Sequence, residues 1–332
     1  MSWTDGRLCR GCGADPAVRP ISQRLNRYTL HRSGKRNPSW IACIGRTRSR
    51  RRRFRVKVVD VSPLQYGVDM MAMVFLFVAV LLCLIMAGAW GLQRLTGNAG
   101  WVDSVWSFGL GIGGVTAALL PDPTAPSIRQ IVVALLIAAW SLRLGIHIAL
   151  RSVHGPEDAR YAALRTEWGT GFQRRLFWFL QIQAVAAALL ALSMLLAAHN
   201  PAVFPRASDL AAIAVLAIAI AGEGVADAQL RRFKSDPANK GRVCDVGLWA
   251  WSRHPNYFFE WFGWLAYPLL AIDLGGWAWG WLALTGPAFM YWLLVYVSGI
   301  PLLERQMLQS RGDAYRAYQA RVSAFFLLPP KG

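Results

Sequence analysis

Long uncharged apolar runs dominate the pattern of the chain from residue 71 onward. Met71 to Leu92 contains no charged side chain, and roughly 20 such residues cross the hydrocarbon core of a bilayer as a helix. Comparable runs follow at about 101–120, 130–150, 175–198, 208–228, 258–275 and 277–300. Backbone groups in lipid must bond within their own segment, so these runs predict helices. The pattern therefore predicts an all-α integral membrane protein with about seven transmembrane helices over residues 70–332. The count is open by one, because only Asp273-Leu274-Gly275-Gly276 separates the last two runs. Fourteen of the 16 Trp lie in this region, many near the ends of runs, where interfacial aromatic belts sit.

Residues 1–69 lack this periodicity. They hold 14 Arg, 2 Lys and 4 Asp, a net charge of +12, out of +18 for all 332 residues. Arg46, Arg48, Arg50 to Arg53, Arg55 and Lys57 form a run that reads first as a solvated tail. An anionic-lipid or nucleic-acid patch and a transit peptide are the other readings. The high apolar content of the rest, 55% hydrophobic residues overall, argues against a soluble nucleic-acid binder despite the basic charge. Cys9-Arg10-Gly11-Cys12 is half of a zinc motif. Cys43 and His31 do not supply a second pair, so no metal site is expected. Cys83 in a span and Cys244 in a loop suggest no disulfide framework. Gly109 and Gly113 make a GxxxG, for which close helix packing is sufficient reason.

Lys and Arg set the orientation. Loop 151–175, segment 229–255 and the C-terminus each carry five or six basic residues, whereas 121–129 and 199–209 carry one Arg each. The three basic stretches are expected on the cytoplasmic side. Seven spans then put the N-terminus outside, together with the +12 segment. That conflict leads to the expectation that the segment is not part of the natural product, and that the protein begins near Met70, Met71 or Met73.

Ionisable residues within spans are expensive and mark function by default. Arg143, His147 and Arg151 follow i, i+4, i+8 spacing, as do Glu223, Asp227 and Arg231, so each trio lines one helix face. Asn256 and Glu260 repeat the spacing, with Arg253, Tyr257 and Trp261 on an adjoining face. Asp103 lies at the mouth of the second span. Anchoring by the charge rule is a sufficient reading for basic residues at a helix end; acidic and amide residues recurring on the same side go beyond that rule. Clustered Arg and Lys suit phosphates, Asn and Asp suit ribose and amide groups, and Trp and Tyr offer stacking surfaces. A nucleotide cofactor fits this inventory. No GxGxxG and no GxxxxGK[ST] is present, so neither a Rossmann domain nor a P-loop is expected.

The segment Gly247-Leu248-Trp249-Ala250-Trp251-Ser252-Arg253-His254-Pro255-Asn256-Tyr257-Phe258-Phe259-Glu260-Trp261 resembles the signature of the steroid 5-alpha-reductase-like membrane family, and more closely its bacterial branch. Glu157-Asp158-Ala159-Arg160-Tyr161, Asp227-Ala228-Gln229-Leu230 with Phe233-Lys234, and Leu303-Glu304-Arg305-Gln306-Met307 with Tyr315 and Tyr318 extend the resemblance over about 75–330. Isoprenylcysteine carboxyl methyltransferases share the Arg-His-Pro-x-Tyr element. The resemblance implies a seven-helix reductase that holds NADPH in its cytoplasmic half and reduces a carbon–carbon double bond of a lipid. By motif position it implies cofactor contacts at Asp227, Lys234, Arg242, Asn256 and Glu260, with Arg253, His254, Tyr257 and Arg151 beside them. The steroid enzymes use a Tyr and a Glu of the N-terminal half at the substrate carbonyl. Here no Tyr and only Glu157 lie between residues 70 and 161. Asp103 and Tyr257 are therefore the candidate catalytic side chains, and steroid specificity is not implied.

The expected function is NADPH-dependent reduction of a steroid- or isoprenoid-like double bond, in a bacterial inner membrane, with the bilayer and an apolar small molecule as partners and no nucleic acid. The alternatives are an S-adenosylmethionine-dependent methyltransferase on a lipidic acceptor and a non-enzymatic lipid-binding or transport protein. The first alternative needs fewer clustered cations than the five in 231–242; the second favours internal repeats and midplane polar groups, which the sequence does not display.

Overall fold

A computed structural model describes residues 63–120, 125–154 and 159–331. They belong to the second of two units into which the chain divides, Asp60–Gly332. The basic run and the Cys9–Cys12 motif lie outside the described residues.

Among the described residues the fold is helical. The helices are α1 (Pro63–Thr96), α2 (Trp101–Leu119), α3 (Ser127–His154), α4 (Ala159–Trp168), α5 (Phe172–Ala198), α6 (Ala207–Ser235), α7 (Pro255–Trp264), α8 (Ala266–Ala271), α9 (Thr285–Trp292), α10 (Ile300–Arg311) and α11 (Asp313–Arg321). A 3₁₀ segment, Ala278–Leu284, leads into α9, and a π-helical turn, Leu293–Val297, follows it. Six stretches of the described residues are long and apolar enough to cross a membrane: Asp69–Thr96, Trp101–Leu119, Ser127–Val153, Arg160–Ala198, Ala207–Ser235 and Ala278–Arg311. The protein is an integral membrane protein on that ground.

Two boundaries differ from the sequence reading. Residues 63–69, assigned to the tail, form the first turns of α1. The sixth expected span, 258–275, is not one long helix but α7 and α8, of ten and six residues. Pro268 has no N–H to give the Trp264 carbonyl, and Leu265 N–H bonds three residues back, to Phe262 O. Apolar composition registers the lipid-compatible run but not this break in the ladder. The interrupted pair still runs the height of the bundle. Asn256 at its start touches Asp227 of α6, and the Leu270 carbonyl at its end accepts from Arg129, the partner of Asp209 near the start of α6.

Long-range bonds define the two ends of the bundle. At one end, Trp90 of α1 donates to Gln173 O of α5, Ser104 of α2 to Gly145 O of α3, and Arg143 of α3 to Asp227 of α6. At the other, His199 lies against Leu120 O, and Asn200 donates to Leu270 O. The first end collects the basic segments 159–175, 229–255 and α10–α11, and is called the basic end below.

α5 forms the centre. Leu176, Leu180, Ala184, Ala187, Ala191 and Met194 repeat at helical spacing on its buried face, while Trp178, Ile182 and Val185 are exposed on the other. The glycines of α2 bring neighbouring helices close. Gly109 and Gly113 face Ile85, Val78 and Leu82 of α1, so the GxxxG pair packs within the chain. Gly111 faces Ser141 of α3: a Cβ there meets Ser141 Oγ at 2.0 Å and Cβ at 2.3 Å. Gly111→Ala is therefore expected to destabilise the protein by about 1–3 kcal/mol, the usual penalty of overpacking. A denaturation midpoint equal to that of the natural chain would refute the close contact.

Candidate functional site

The site begins with two faces at helical spacing. Arg143 and His147 on α3 meet Glu223, Asp227 and Arg231 on α6. The Arg143 guanidinium reaches both Glu223 and Asp227. His147 Nε2 lies 3.5 Å from Asp227 Oδ2, and Arg231 Nη1 lies 3.5 Å from His147 Nδ1. Asn256 Nδ2, in the first turn of α7, donates to Asp227 Oδ1 at 3.3 Å. Arg143 is 18% exposed and the two carboxylates 8%. One guanidinium thus neutralises part of a doubly acidic site, an arrangement stable in low dielectric only when paired and bonded. Asp227, on α6, is the hub, with partners on two other helices, α3 and α7.

Glu260 lies one turn further along α7 and turns inward. Its two oxygens accept from Trp140 Nε1 at 2.9 Å and Trp264 Nε1 at 3.0 Å. The two indoles meet edge to face with centroids 5.5 Å apart. The carboxylate is buried, and its indole donors come from α3 and from its own helix. Trp140 precedes Arg143 by three positions, so helical spacing was the available signal for it.

The Arg-His-Pro-Asn-Tyr motif splits between two tasks. Pro255 occupies the first turn of α7, where a missing N–H is harmless. Before it, Arg253 and His254 face the C-terminal segment. Arg253 Nε donates to Glu304 Oε1 at 2.7 Å, and its Nη1 to the carbonyls of Gln319 and Val322. His254 Nε2 lies 3.4 Å from Glu304 Oε1, and Gln319 Nε2 donates to Glu304 Oε2 at 2.8 Å. Ser252 Oγ donates to Phe325 O, and Tyr318 donates its hydroxyl proton to Trp249 O. These contacts clasp α11 and the chain beyond it onto the loop before α7. Glu304 entered the sequence reading only within the Leu303–Met307 match, with no role assigned, and Gln319 did not enter it, since neither lies near the motif in sequence. Tyr257 stacks on His254, with centroids 5.6 Å apart.

Burial holds the His254 imidazole below its ordinary value of 6.5, against the opposing pull of Glu304. The folded clasp keeps His254 neutral where the unfolded chain takes up a proton. Its contribution is therefore complete above 6.5 and declines as pH falls below it. His254→Gln is expected to flatten the loss of thermal stability between about pH 7.5 and pH 5. An identical pH dependence in the variant would contradict this role.

The remaining candidates are more scattered. Lys234, Arg242 and Arg151 are exposed at the basic end, and Arg242 Nη1 reaches Asn239 Oδ1 at 3.4 Å. Next to Arg242, a recess of ≈ 590 Å³ is lined by Gln229, Arg232, Phe233, Asn239, Val246 and Gly247. Gly247 has φ +59°, and a Cβ there collides with Gln229, which accepts the Leu248 N–H. Asp103 is held by Arg160 and by the Tyr161 hydroxyl at 3.0 Å. It accepts from both and gives no proton in this arrangement. None of the α6 or α7 candidates is among these partners, so the structure does not join Asp103 to the Asp227 cluster.

No curated protein and no solved structure matches the chain. Residues 89–322 match the family described as Protein of unknown function (DUF1295), a stretch that includes every residue of the Asp227 cluster and of the Glu260 pocket. With that match over more than half its length, the chain belongs to this family of unknown function.

Proposed function

We propose that the protein is an NADPH-dependent reductase of a carbon–carbon double bond in a lipidic substrate. In this reading the bundle crosses the bilayer seven times, with α7 and α8 together as one crossing, the basic end in the cytoplasm and the N-terminus outside. The bacterial inner membrane is the proposed location.

One observation carries the reading. Asp227 and Asn256 form a carboxylate–amide pair beside Arg143, His147 and Arg231, at the end of the bundle where Arg151, Lys234 and Arg242 are exposed. The donor set fits the group. Exposed cations suit the phosphates of a dinucleotide, and an acid beside an amide suits its hydroxyl and carboxamide groups. NADPH, when bound, supplies a hydride. Arg231, Arg151, Lys234 and Arg242 hold phosphates, with Arg242 as the contact to the 2′-phosphate. Asp227 and Asn256 orient the cofactor, and Arg143 keeps the Asp227 carboxylate in place. Glu260, locked between two indoles, fixes the floor beneath that pair and helps exclude water. Tyr257, next to Asn256, is the candidate proton donor through its hydroxyl; Asp103 instead orients Tyr161 and Arg160.

The test is discrimination between NADPH and NADH in equilibrium binding. The natural chain is expected to prefer NADPH, and Arg242→Ala to reduce that preference about tenfold, the worth of one charge-assisted contact. Equal affinity for both nucleotides in the natural chain would overturn the assignment.

A further inference from the structure

The outer face of α5 carries a feature that the cofactor reading leaves unused. Arg174, Arg175, Trp178, Phe179 and Ile182, with Trp168 from the end of α4, line a recess of ≈ 500 Å³. Trp178 is 62% and Ile182 67% exposed, although α5 is one of the six membrane-crossing stretches. The opposite face of the same turns, Leu176 and Leu180, is core. In a bilayer the recess therefore opens toward lipid, with its cations about two turns nearer the basic end than Ile182.

The two guanidinium groups are what mark it. Among the described residues no carboxylate lines the recess, and neither Arg174 nor Arg175 has an ion pair or hydrogen bond there. Their neighbours in the same region are engaged: Arg160 with Asp103, and Arg165 with Gly97 O and the Phe172 ring. The sequence keeps two adjacent cations that no anion among the described residues answers. Below them lies an apolar strip of Trp178, Phe179 and Ile182, with the aromatic rings at the depth where headgroup meets acyl chain.

We propose that this recess binds an anionic phospholipid. Arg174 and Arg175 hold the headgroup phosphate, and the Trp178–Ile182 strip receives the first part of an acyl chain. A free phosphate satisfies the cations but leaves the apolar strip without a partner, and a zwitterionic lipid offsets the attraction with its own cation. The site shares no residue with the Asp227 cluster and does not depend on the cofactor assignment.

The test uses the purified full chain, with bound lipid read by native mass spectrometry during titration with phosphatidylglycerol or phosphatidylcholine. The natural chain is expected to prefer phosphatidylglycerol by about tenfold. Arg174→Gln/Arg175→Gln is expected to lose most of that preference. Arg316→Gln/Arg321→Gln, which removes two exposed charges of α11, should keep it. Trp178→Ala should weaken both lipids. Inorganic phosphate at millimolar concentration should not displace the lipid. No preference in the natural chain overturns the proposal whatever the variants do, including a variant that fails to fold. Equal loss in the α11 control would reduce the effect to net charge. Displacement by inorganic phosphate would make the recess an ion site rather than a lipid site.

Discussion

Arg129→Ala is expected to destabilise the protein by about 3–5 kcal/mol, the range for breaking a buried ion pair on one side. The Arg129 and Asp209 side chains are both 0% exposed. Arg129 Nη1 donates to Asp209 Oδ1 at 2.8 Å and to Leu270 O at 3.0 Å, while Nη2 donates to Asp209 Oδ2 at 3.1 Å and to Ala202 and Val203 carbonyls at 3.3 Å. One guanidinium thus ties α3 to the start of α6, to the connection before it and to the end of α8. Removal takes all of these tethers at once, although Leu270 O keeps Asn200 and Arg206 as donors. Asp209 keeps only Arg206, which reaches it through its backbone N–H and its side chain. Thermal or denaturant unfolding in detergent measures the effect. Replacing both partners, Arg129→Met with Asp209→Leu, is expected to recover part of the loss, because the under-neutralised buried carboxylate is gone and Arg206 keeps Asp273 and the Leu270 and Ile272 carbonyls. A loss below about 1 kcal/mol for Arg129→Ala would show the pair to be dispensable.

Asp227→Asn is expected to weaken NADPH binding about ten- to hundredfold, while leaving the fold nearly as stable. The two effects separate because of geometry. Arg143 retains Glu223 when Asp227 loses its charge, so no cation is stranded. Yet the carboxylate joins Arg143, His147 and Asn256, and its loss frees all three from a common orientation. A hydrogen bond to a charged group is worth about 1.5–3 kcal/mol, and each 1.4 kcal/mol is about tenfold in affinity. The contrast with Arg129→Ala is informative: one change acts on stability at the far end of the bundle, the other on binding at the basic end. Binding within about twofold of the natural chain in Asp227→Asn would remove Asp227 from the site.

Helical spacing carried most of what was legible. Arg143, His147, Glu223, Asp227 and Arg231 stand at i, i+4 and i+8 on two helices, and they do meet. Asn256 joined them through its place in a recognised motif. Pairings between distant segments were not legible. Nothing local in Glu260 announces Trp140, 120 residues away, and nothing in Arg253 announces Glu304 and Gln319. Arg129 and Arg206 read as lone loop cations, since charge counting cannot see a carboxylate that folding brings beside them. The apolar pattern located the crossing stretches well but missed the start of α1 and the break at Leu265. The first depends on helix propagation beyond the apolar run, and the second on the hydrogen bond that Pro268 cannot make.

The central claim is that the Asp227–Asn256 pair and the cations around it form a dinucleotide site. The most direct measurement is parallel equilibrium titration of the purified protein with NADPH and with S-adenosylmethionine, in the natural chain and in Asn256→Ala. The account expects saturable NADPH binding that weakens about tenfold in Asn256→Ala, and no saturable binding of S-adenosylmethionine. Saturable S-adenosylmethionine binding with none for NADPH would contradict it and point to the methyl-transfer alternative.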